Sequence, residues 1–220
     1  MKEKIVKKIL KMSGRYNYHT IFRDWVELMA LSIQNSCCLI HNKIWEDREQ
    51  QYKNIMQKYT LEERMEFPEM LAMLVDEFTD GNISDILGEI YMSQGSGNGR
   101  LGQFFTPFHS SLLNAALVIP ENVNPENPLV INEPSAGGGG MIIAVVKILL
   151  DSGINPQQCM DVVAQDLDWQ GVYMTYVQLS LLGIKATVVQ GDTLREPFVD
   201  ARLYPQERVL YSPARKGIIL

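Results

Sequence analysis

Residues 132–140 read Asn-Glu-Pro-Ser-Ala-Gly-Gly-Gly-Gly and follow directly on the apolar run Leu129-Val130-Ile131. An apolar segment of helical length comes next, at residues 141–150. The sequence therefore predicts a strand, a turn almost without side chains, and a helix. Glycine permits positive φ and a close approach of the backbone to a ligand, and the first amides of a helix donate to polar groups. We expect a nucleotide-like cofactor at this turn; a tight turn without a ligand is the alternative.

The spacing of the glycines excludes two phosphate-binding motifs. A dinucleotide fingerprint needs Gly-x-Gly-x-x-Gly, but its third glycine is replaced by Ile142 when counted from Gly137 and by Ile143 when counted from Gly138. A P-loop ends in Gly-Lys-Ser or Gly-Lys-Thr, and neither triplet occurs in the sequence.

Three consecutive predicted strands end on acidic residues, namely Glu133, Asp166 and Asp192. Ligands of open parallel α/β sheets bind at the carboxyl ends of the strands. Carboxylates there suit hydroxyl and amino groups and repel phosphate. S-adenosyl-L-methionine fits this pattern because it carries ribose hydroxyls, an amino group and a sulfonium charge, and has no phosphate.

Two further segments precede the glycine turn in order. Residues 102–107 read Gly-Gln-Phe-Phe-Thr-Pro, and residues 85–91 read Asp-Ile-Leu-Gly-Glu-Ile-Tyr. Over roughly residues 80 to 195 the sequence resembles the adenine-specific (N6) DNA methyltransferases, in particular the modification subunits of type I restriction enzymes. In that family, Gly-x-Phe/Tyr-Phe/Tyr-Thr-Pro precedes Asp-Pro-x-x-Gly-x-Gly-Gly, and here Glu133 stands in place of the aspartate.

The resemblance implies S-adenosyl-L-methionine as cofactor and a role for each matched position. The methionine end would be held by Phe104, Phe105 and Thr106, which Pro107 follows. Glu133 would face the amino group, and the turn that would pass under the cofactor consists of Pro134, Ser135, Ala136, Gly137, Gly138 and Gly139. Asp166 would accept hydrogen bonds from the ribose, Leu167 would pack on the adenine ring, and Asp192 would bind the adenine amine.

Each of these positions also has a structural interpretation. Phe104 and Phe105 could belong to the core, and Thr106-Pro107 could begin a helix. Asp166 and Asp168 could cap the helix that begins near Trp169, and Asp192 could cap a turn. We favour Asp166 as the cofactor ligand because it directly ends the apolar run.

The catalytic motif of the family is missing from the sequence. Asn/Asp-Pro-Pro-Tyr/Phe would polarise the amine of a flipped adenine and stack on the base, but no such tetrapeptide occurs in the 220 residues. The nearest candidate, residues 208–213 (Arg-Val-Leu-Tyr-Ser-Pro), is interpreted as an ordinary strand and turn. We assign no catalytic residue and predict that the isolated chain does not methylate DNA.

A methyltransferase that acts on RNA or protein would share the cofactor fold, but the segment 104–107 ahead of the glycine turn favours the DNA family. Two main functions remain open at this point. With 26 residues after Leu194, we expect the sheet to end after its third or fourth strand. The chain would then be one half of a split adenine methyltransferase of a restriction–modification or mobile-element system, with a specificity subunit or second methyltransferase subunit as partner. DNA contact would come through that partner. The alternative is an inactive module that holds cofactor and regulates another methyltransferase subunit.

The sequence divides into two parts. Residues 1–94 are predicted to form a helical N-terminal region, and residues 95–220 a Rossmann-like α/β domain with alternating helices and strands. Within the first part, Thr60-Leu-Glu-Glu63 resembles a capping box, and Pro68 is predicted to open a helix that runs through Phe78.

Charge and composition limit the classes of protein further. The net charge is −6, which is unfavourable for a protein that binds DNA alone. Lysines nevertheless crowd the first 15 residues, as a solvated helix face or as a contact for phosphate or a partner. No apolar run approaches the ~18 residues of a membrane span, and no signal-peptide core is found. Three cysteines and three scattered histidines make no metal motif, so we predict a cytoplasmic protein without a metal.

Overall fold

A computed structural model describes residues 2–93 and 105–218. The helices in these residues are α1 (Lys2–Met12), α2 (Tyr18–Ser36), α3 (Lys43–Met56), α4 (Leu61–Thr79), α5 (Ile86–Ser93), α6 (Phe108–Val118), α7 (Gly140–Asp151), α8 (Pro156–Cys159) and α9 (Trp169–Leu181). The strands are β1 (Leu129–Glu133), β2 (Met160–Asp166), β3 (Lys185–Gln190) and β4 (Val209–Tyr211). Short 3-10 turns cover Ala201–Leu203, Gln206–Arg208 and Ala214–Lys216.

The four strands form one sheet in the order β1-β2-β3-β4. The first three are parallel, with Glu133 opposite Ala164 and Asp166 opposite Gln190, and β4 runs antiparallel to β3. Helices α7 and α9 connect the parallel strands, which makes two β-α-β units. The predicted Rossmann-like α/β sheet after a helical N-terminal region is confirmed, and the carboxyl ends of β1, β2 and β3 meet at one edge.

A single hydrophobic core runs from the first helix to the last strand. Helix α9 is covered by protein on every face, and its residues from Gln170 to Ser180 are buried, because β2 and β3 cover one side and α2 the other. The N-terminal helices therefore pack on the sheet domain rather than apart from it. The predicted boundary at residues 94/95 lies outside the described residues and stays a prediction.

Helix α4 corrects one prediction. The capping box is confirmed, since the Glu63 amide donates to Thr60 Oγ1 (3.3 Å) and the Thr60 amide donates to Glu63 Oε2 (2.7 Å). The helix begins there, however, and continues through Pro68, so the prediction that Pro68 opens it was wrong. A helix-interior proline costs one backbone hydrogen bond, and the buried side chains of Phe67, Met70 and Leu74 offset that cost.

Helix α1 shows what part of the N-terminal positive charge does. Lys8 contacts Glu66 and lies 2.6 Å from Glu69 Oε2, both on α4. Lys11 also contacts Glu66, at 3.3 Å, and Lys2 contacts Glu89 on α5. These three lysines attach α1 to the neighbouring helices, which is a third use of the charge besides solvation and phosphate contact.

Within residues 2–93 and 105–218, no helix is long and apolar enough to cross a membrane. The same residues contain no group of three or more histidine, cysteine or acidic side chains placed to hold a metal ion.

Candidate functional site

A cavity of about 700 Å³ opens at the carboxyl ends of β1, β2 and β3. Ten of the residues predicted from sequence line it: Phe105, Thr106, Pro134, Ser135, Ala136, Gly137, Gly138, Asp166, Leu167 and Asp192. Pro107, Glu133 and Gly139 do not line it, and Phe104 lies outside the described residues. The topology thus brings four separate segments of the chain to one concave site.

The turn at this site has a backbone that requires glycine at two positions. Gly137 has φ of 54° and Gly139 has φ of 88°, in the left-handed region that side chains rarely adopt. The Gly139 amide donates to the Ala136 carbonyl (2.7 Å), and the Ala136 amide donates to the Gln165 carbonyl (3.0 Å). The turn is therefore fixed to the end of β2 before any ligand arrives.

Asp166 connects the two strand ends. Its Oδ2 accepts from the Gly137 amide (2.7 Å) and its Oδ1 accepts from the Asp168 amide (2.9 Å). Burial raises the pKa of the Asp166 carboxyl, and the two backbone amides partly counteract this. Asp168, by contrast, caps α9 by accepting from the Gln170 amide (3.3 Å). Of the two aspartates that could have capped α9, Asp168 is the cap, and Asp166 is fixed at the cavity wall.

Phe105 packs against the core and also lines the cavity. Its ring stacks on Tyr91 with centroids 5.4 Å apart, and a Cβ added to Gly137 would meet that ring at 3.0 Å. Pro107 precedes α6, where the Ser110 and Ser111 amides donate to its carbonyl (2.8 and 3.1 Å). Phe105 is consequently a partly buried packing residue that also lines the cavity, and Pro107 is a helix start.

The mouth of the cavity is held by contacts between loops. Thr193 Oγ1 donates to the Pro134 carbonyl at 2.6 Å, joining the loop after β3 to the glycine turn. Asp192 Oδ1 accepts from the Leu194 amide (3.0 Å), as a turn cap does. Glu133 accepts from the Ser135 amide (3.1 Å) just outside the cavity. Leu167 is 66% exposed at the mouth, where a flat ring can pack.

The cavity also contains residues that were not predicted: Asp85, Ser111, Gly140, Met141, Asp168, Gly191, Thr193 and Leu194. Most of them adjoin predicted residues in sequence and could have been found by extending each motif by one or two positions. Ser111 and Asp85 are different, since both come from helix starts. The Ser111 hydroxyl is fully buried without a hydrogen-bond partner, which marks a polar group that a ligand can satisfy.

Residues 208–213 run away from the cavity along β4: Arg208 contacts Gln190 at the carboxyl end of β3, and Ser212-Pro213 lies at the other end. Because β4 is antiparallel, Tyr211 pairs with Thr187 near the amino end of β3, so Ser212 and Pro213 follow at the opposite end of the sheet. Ser212 Oγ accepts from the Ala186 amide (2.9 Å) and donates to the Ile184 carbonyl (2.8 Å). The interpretation of this segment as an ordinary strand and turn is confirmed.

Residues 82–209 match the family described as N-6 DNA Methylase. The match spans more than half of the 220 residues. The chain belongs to the N-6 DNA methylase family. Its matched region includes all three acidic strand ends, the glycine turn and Asp85, and no curated protein matches the sequence.

Two solved structures resemble this N-6 DNA methylase family member at low identity. One, from Listeria monocytogenes and assigned to the class I S-adenosylmethionine-dependent methyltransferases, is 14% identical with a TM-score of 0.47. The other, the methyltransferase subunit of a type I restriction-modification system from Streptococcus thermophilus, is 15% identical with a TM-score of 0.45. The alignments cover 90% and 86% of this chain but 54% and 42% of those proteins, so the chain spans about half their length.

Proposed function

We propose that this chain binds S-adenosyl-L-methionine and forms the cofactor-binding part of a methyltransferase that modifies adenine N6 in DNA. The system would be one of restriction–modification or a mobile element. The observation that carries the proposal is the junction of two strand ends, where the Asp166 carboxylate accepts from the Gly137 amide at 2.7 Å at the cavity wall. Membership of the N-6 DNA methylase family supports the choice of reaction.

The cavity fits this cofactor in size and chemistry. About 700 Å³ lies within the ~300–1,000 Å³ typical of small-molecule sites. Asp166 and Asp192 offer carboxylate oxygens to ribose hydroxyls and an amine, and the unpartnered Ser111 hydroxyl offers one more polar group.

The residues of this chain would bind and orient the cofactor. When bound, the cofactor supplies a methyl group activated by a positively charged sulfur. Asp166 would fix the ribose, Leu167 would cover one face of the adenine, and Asp192 would bind its amine. Glu133, just outside the cavity, would face the amino group of the methionine end. Phe105 and Thr106 would close the site over that end, which excludes water.

Activation of the target adenine would come from a partner subunit. The 220 residues lack Asn/Asp-Pro-Pro-Tyr/Phe, and the nearest candidate, Ser212-Pro213, lies at the opposite end of the sheet from the cavity. A second methyltransferase subunit carrying that motif, or a specificity subunit, would also bring the DNA.

Calorimetric titration of the purified chain with S-adenosylmethionine tests the cofactor site. We expect saturable binding, and we expect Asp166→Asn to weaken it by at least tenfold while the protein stays folded by circular dichroism. The absence of measurable heat in the wild type, with displacement of a fluorescent analogue also absent, would refute the proposal.

A second candidate function is an inactive cofactor-holding module, which the position of Ser212-Pro213 favours. Transfer of a tritiated methyl group to DNA separates the two candidates. If the chain is half of a split enzyme, adenine is methylated only when a subunit carrying Asn-Pro-Pro-Tyr/Phe is also present. If the chain is an inactive module, the activity of that subunit does not depend on whether this chain has cofactor bound.

A further inference from the structure

Asp85 places a carboxylate directly behind the glycine turn. It immediately precedes α5, is only 5% exposed and lines the cavity. Its Oδ1 accepts from the Gly88 amide (2.9 Å), as an N-cap does, and also from Gln178 Nε2 (2.8 Å) on α9. The second contact goes beyond capping, because it joins the start of α5 to a residue 93 positions further along the chain.

The same glutamine connects Asp85 to the turn. Gln178 is fully buried, and its Nε2 also donates to the Gly138 carbonyl (2.7 Å) while its Oε1 accepts from the Leu87 amide (3.1 Å). A Cβ added to Gly138 would lie 2.7 Å from both oxygens of the Asp85 carboxylate, and one on Gly140 would lie 3.0 Å from Oδ2. The carboxylate therefore touches the turn itself.

The charge of Asp85 is poorly balanced within the protein. None of the ion pairs in residues 2–93 and 105–218 involves it. Burial raises the pKa of the Asp85 carboxyl, the hydrogen bonds from Gln178 and the Gly88 amide lower it, and Glu89 and Lys2 act in opposite directions. Keeping such a charge in a protein interior costs free energy unless a cation compensates it.

We propose that Asp85 is a specificity-determining residue of the cofactor site, whose buried carboxylate favours the positively charged sulfonium of S-adenosylmethionine over the neutral thioether of S-adenosylhomocysteine. The inference rests on the proposed function above. The two nucleosides share the ribose, the adenine and the amino-acid end, and they differ by one methyl group and one positive charge. The Asp85 carboxylate next to the turn attracts the positive charge of the sulfonium and not the neutral thioether, and this attraction does not require direct contact.

The expected size of the effect follows from distance. At an effective dielectric constant of about 20, two unit charges separated by roughly 12 Å attract enough to change an affinity about tenfold. This estimate applies to a sulfonium bound within that distance of Asp85, at the part of the cavity that Asp85 itself lines. Asp85→Asn should therefore lower the preference for S-adenosylmethionine over S-adenosylhomocysteine at least tenfold.

The experiment is calorimetric titration of the wild type and the Asp85→Asn variant with each nucleoside, at about pH 8, where a carboxyl of raised pKa carries more of its charge than at lower pH. Asp85→Ser serves as a second variant, since serine retains N-capping. Asp151→Asn is the matched control. It removes an aspartate at the far end of α7, beyond the ~10 Å screening length at 0.1 M salt.

The outcomes distinguish this inference from the proposed function. We expect the affinity ratio to fall at least tenfold in both Asp85 variants and to stay within twofold in the control. An unchanged ratio in folded Asp85 variants, with both affinities retained or lowered equally, would overturn the specificity role alone. No binding by the wild type would overturn the proposed function and this inference with it.

Discussion

Replacing Gly138 with alanine tests how tightly the turn packs on Asp85. The backbone of Gly138 does not have positive φ, so the substitution introduces no left-handed strain. The new Cβ would instead lie 2.7 Å from both carboxylate oxygens of Asp85, closer than real Cβ contacts allow. The carboxylate must move, but the Gly88 amide and Gln178 hold it in place.

The magnitude follows from these contacts. Overpacking a buried position costs about 1–3 kcal/mol, and moving the carboxylate weakens hydrogen bonds to a charged group worth about 1.5–3 kcal/mol each. Allowing for partial relaxation, we expect Gly138→Ala to lower the free energy of unfolding by about 2–4 kcal/mol. Gly14→Ala is the matched control, since Gly14 has no atom within 4 Å of its Cβ position and no positive φ.

Urea denaturation followed by circular dichroism measures the effect, and a double-mutant cycle assigns it. With Asp85→Ser as background, the cost of Gly138→Ala should drop by more than about 1 kcal/mol, because the clashing oxygens are gone. If Gly138→Ala proves as mild as Gly14→Ala, or if its cost is the same with and without Asp85, the packing argument is wrong.

Three further predictions follow from the described contacts. Burial raises the pKa of Asp166, and its ionised form is the better acceptor for a ribose hydroxyl. That form is lost as the pH falls through the raised pKa. Calorimetry should therefore show cofactor affinity decreasing over the same pH range, and decreasing less steeply in Asp166→Asn. The Lys8 contact lowers the pKa of Glu66, so Glu66 contributes stability above the unfolded pKa of ~4.3 that is lost as pH falls. Glu66→Gln should therefore cost about 0.5–1.5 kcal/mol at neutral pH and progressively less as the pH falls through that lowered pKa, with the exposed Glu126→Gln neutral throughout. Ser212→Ala should cost about 1–3 kcal/mol in urea denaturation yet leave cofactor affinity within twofold, and a larger loss of affinity would place Ser212 near the site.

The parts of the fold that local patterns dictate were predictable. Strand β1, the turn and α7 follow from an apolar run, four glycines and a second apolar run within 22 residues. The acidic strand ends could be placed at one edge because parallel strands share their carboxyl ends. Ten of the fourteen predicted cofactor residues line the cavity for this reason, since each belongs to a strand end, to the turn or to the segment before α6.

The rest depended on contacts between distant residues. The sequence showed a cluster of lysines in α1 but not which of them form ion pairs, because their partners Glu66, Glu69 and Glu89 lie 55 or more residues away. Pro68 has a strong local preference for helix starts, and the capping box together with the buried face of α4 overrode it. Asp85 resembled one residue of a helix start, and only tertiary packing brings its carboxylate to the turn.

The glycine turn illustrates why a motif does not by itself assign a role to each residue. Gly137 and Gly139 are required by positive φ, and Gly137 is also required by the Phe105 ring. Gly138 is required by the Asp85 carboxylate on the protein side of the turn, although its sequence position suggests an approach to the cofactor. The four consecutive glycines thus satisfy two constraints, a bend that frees the cavity side for a ligand and a bare inner surface that admits a buried charge. Both constraints fall within three residues of the turn. A substitution that disturbs the Asp85 carboxylate is therefore also expected to alter how the cavity side of the turn distinguishes S-adenosylmethionine from the neutral S-adenosylhomocysteine.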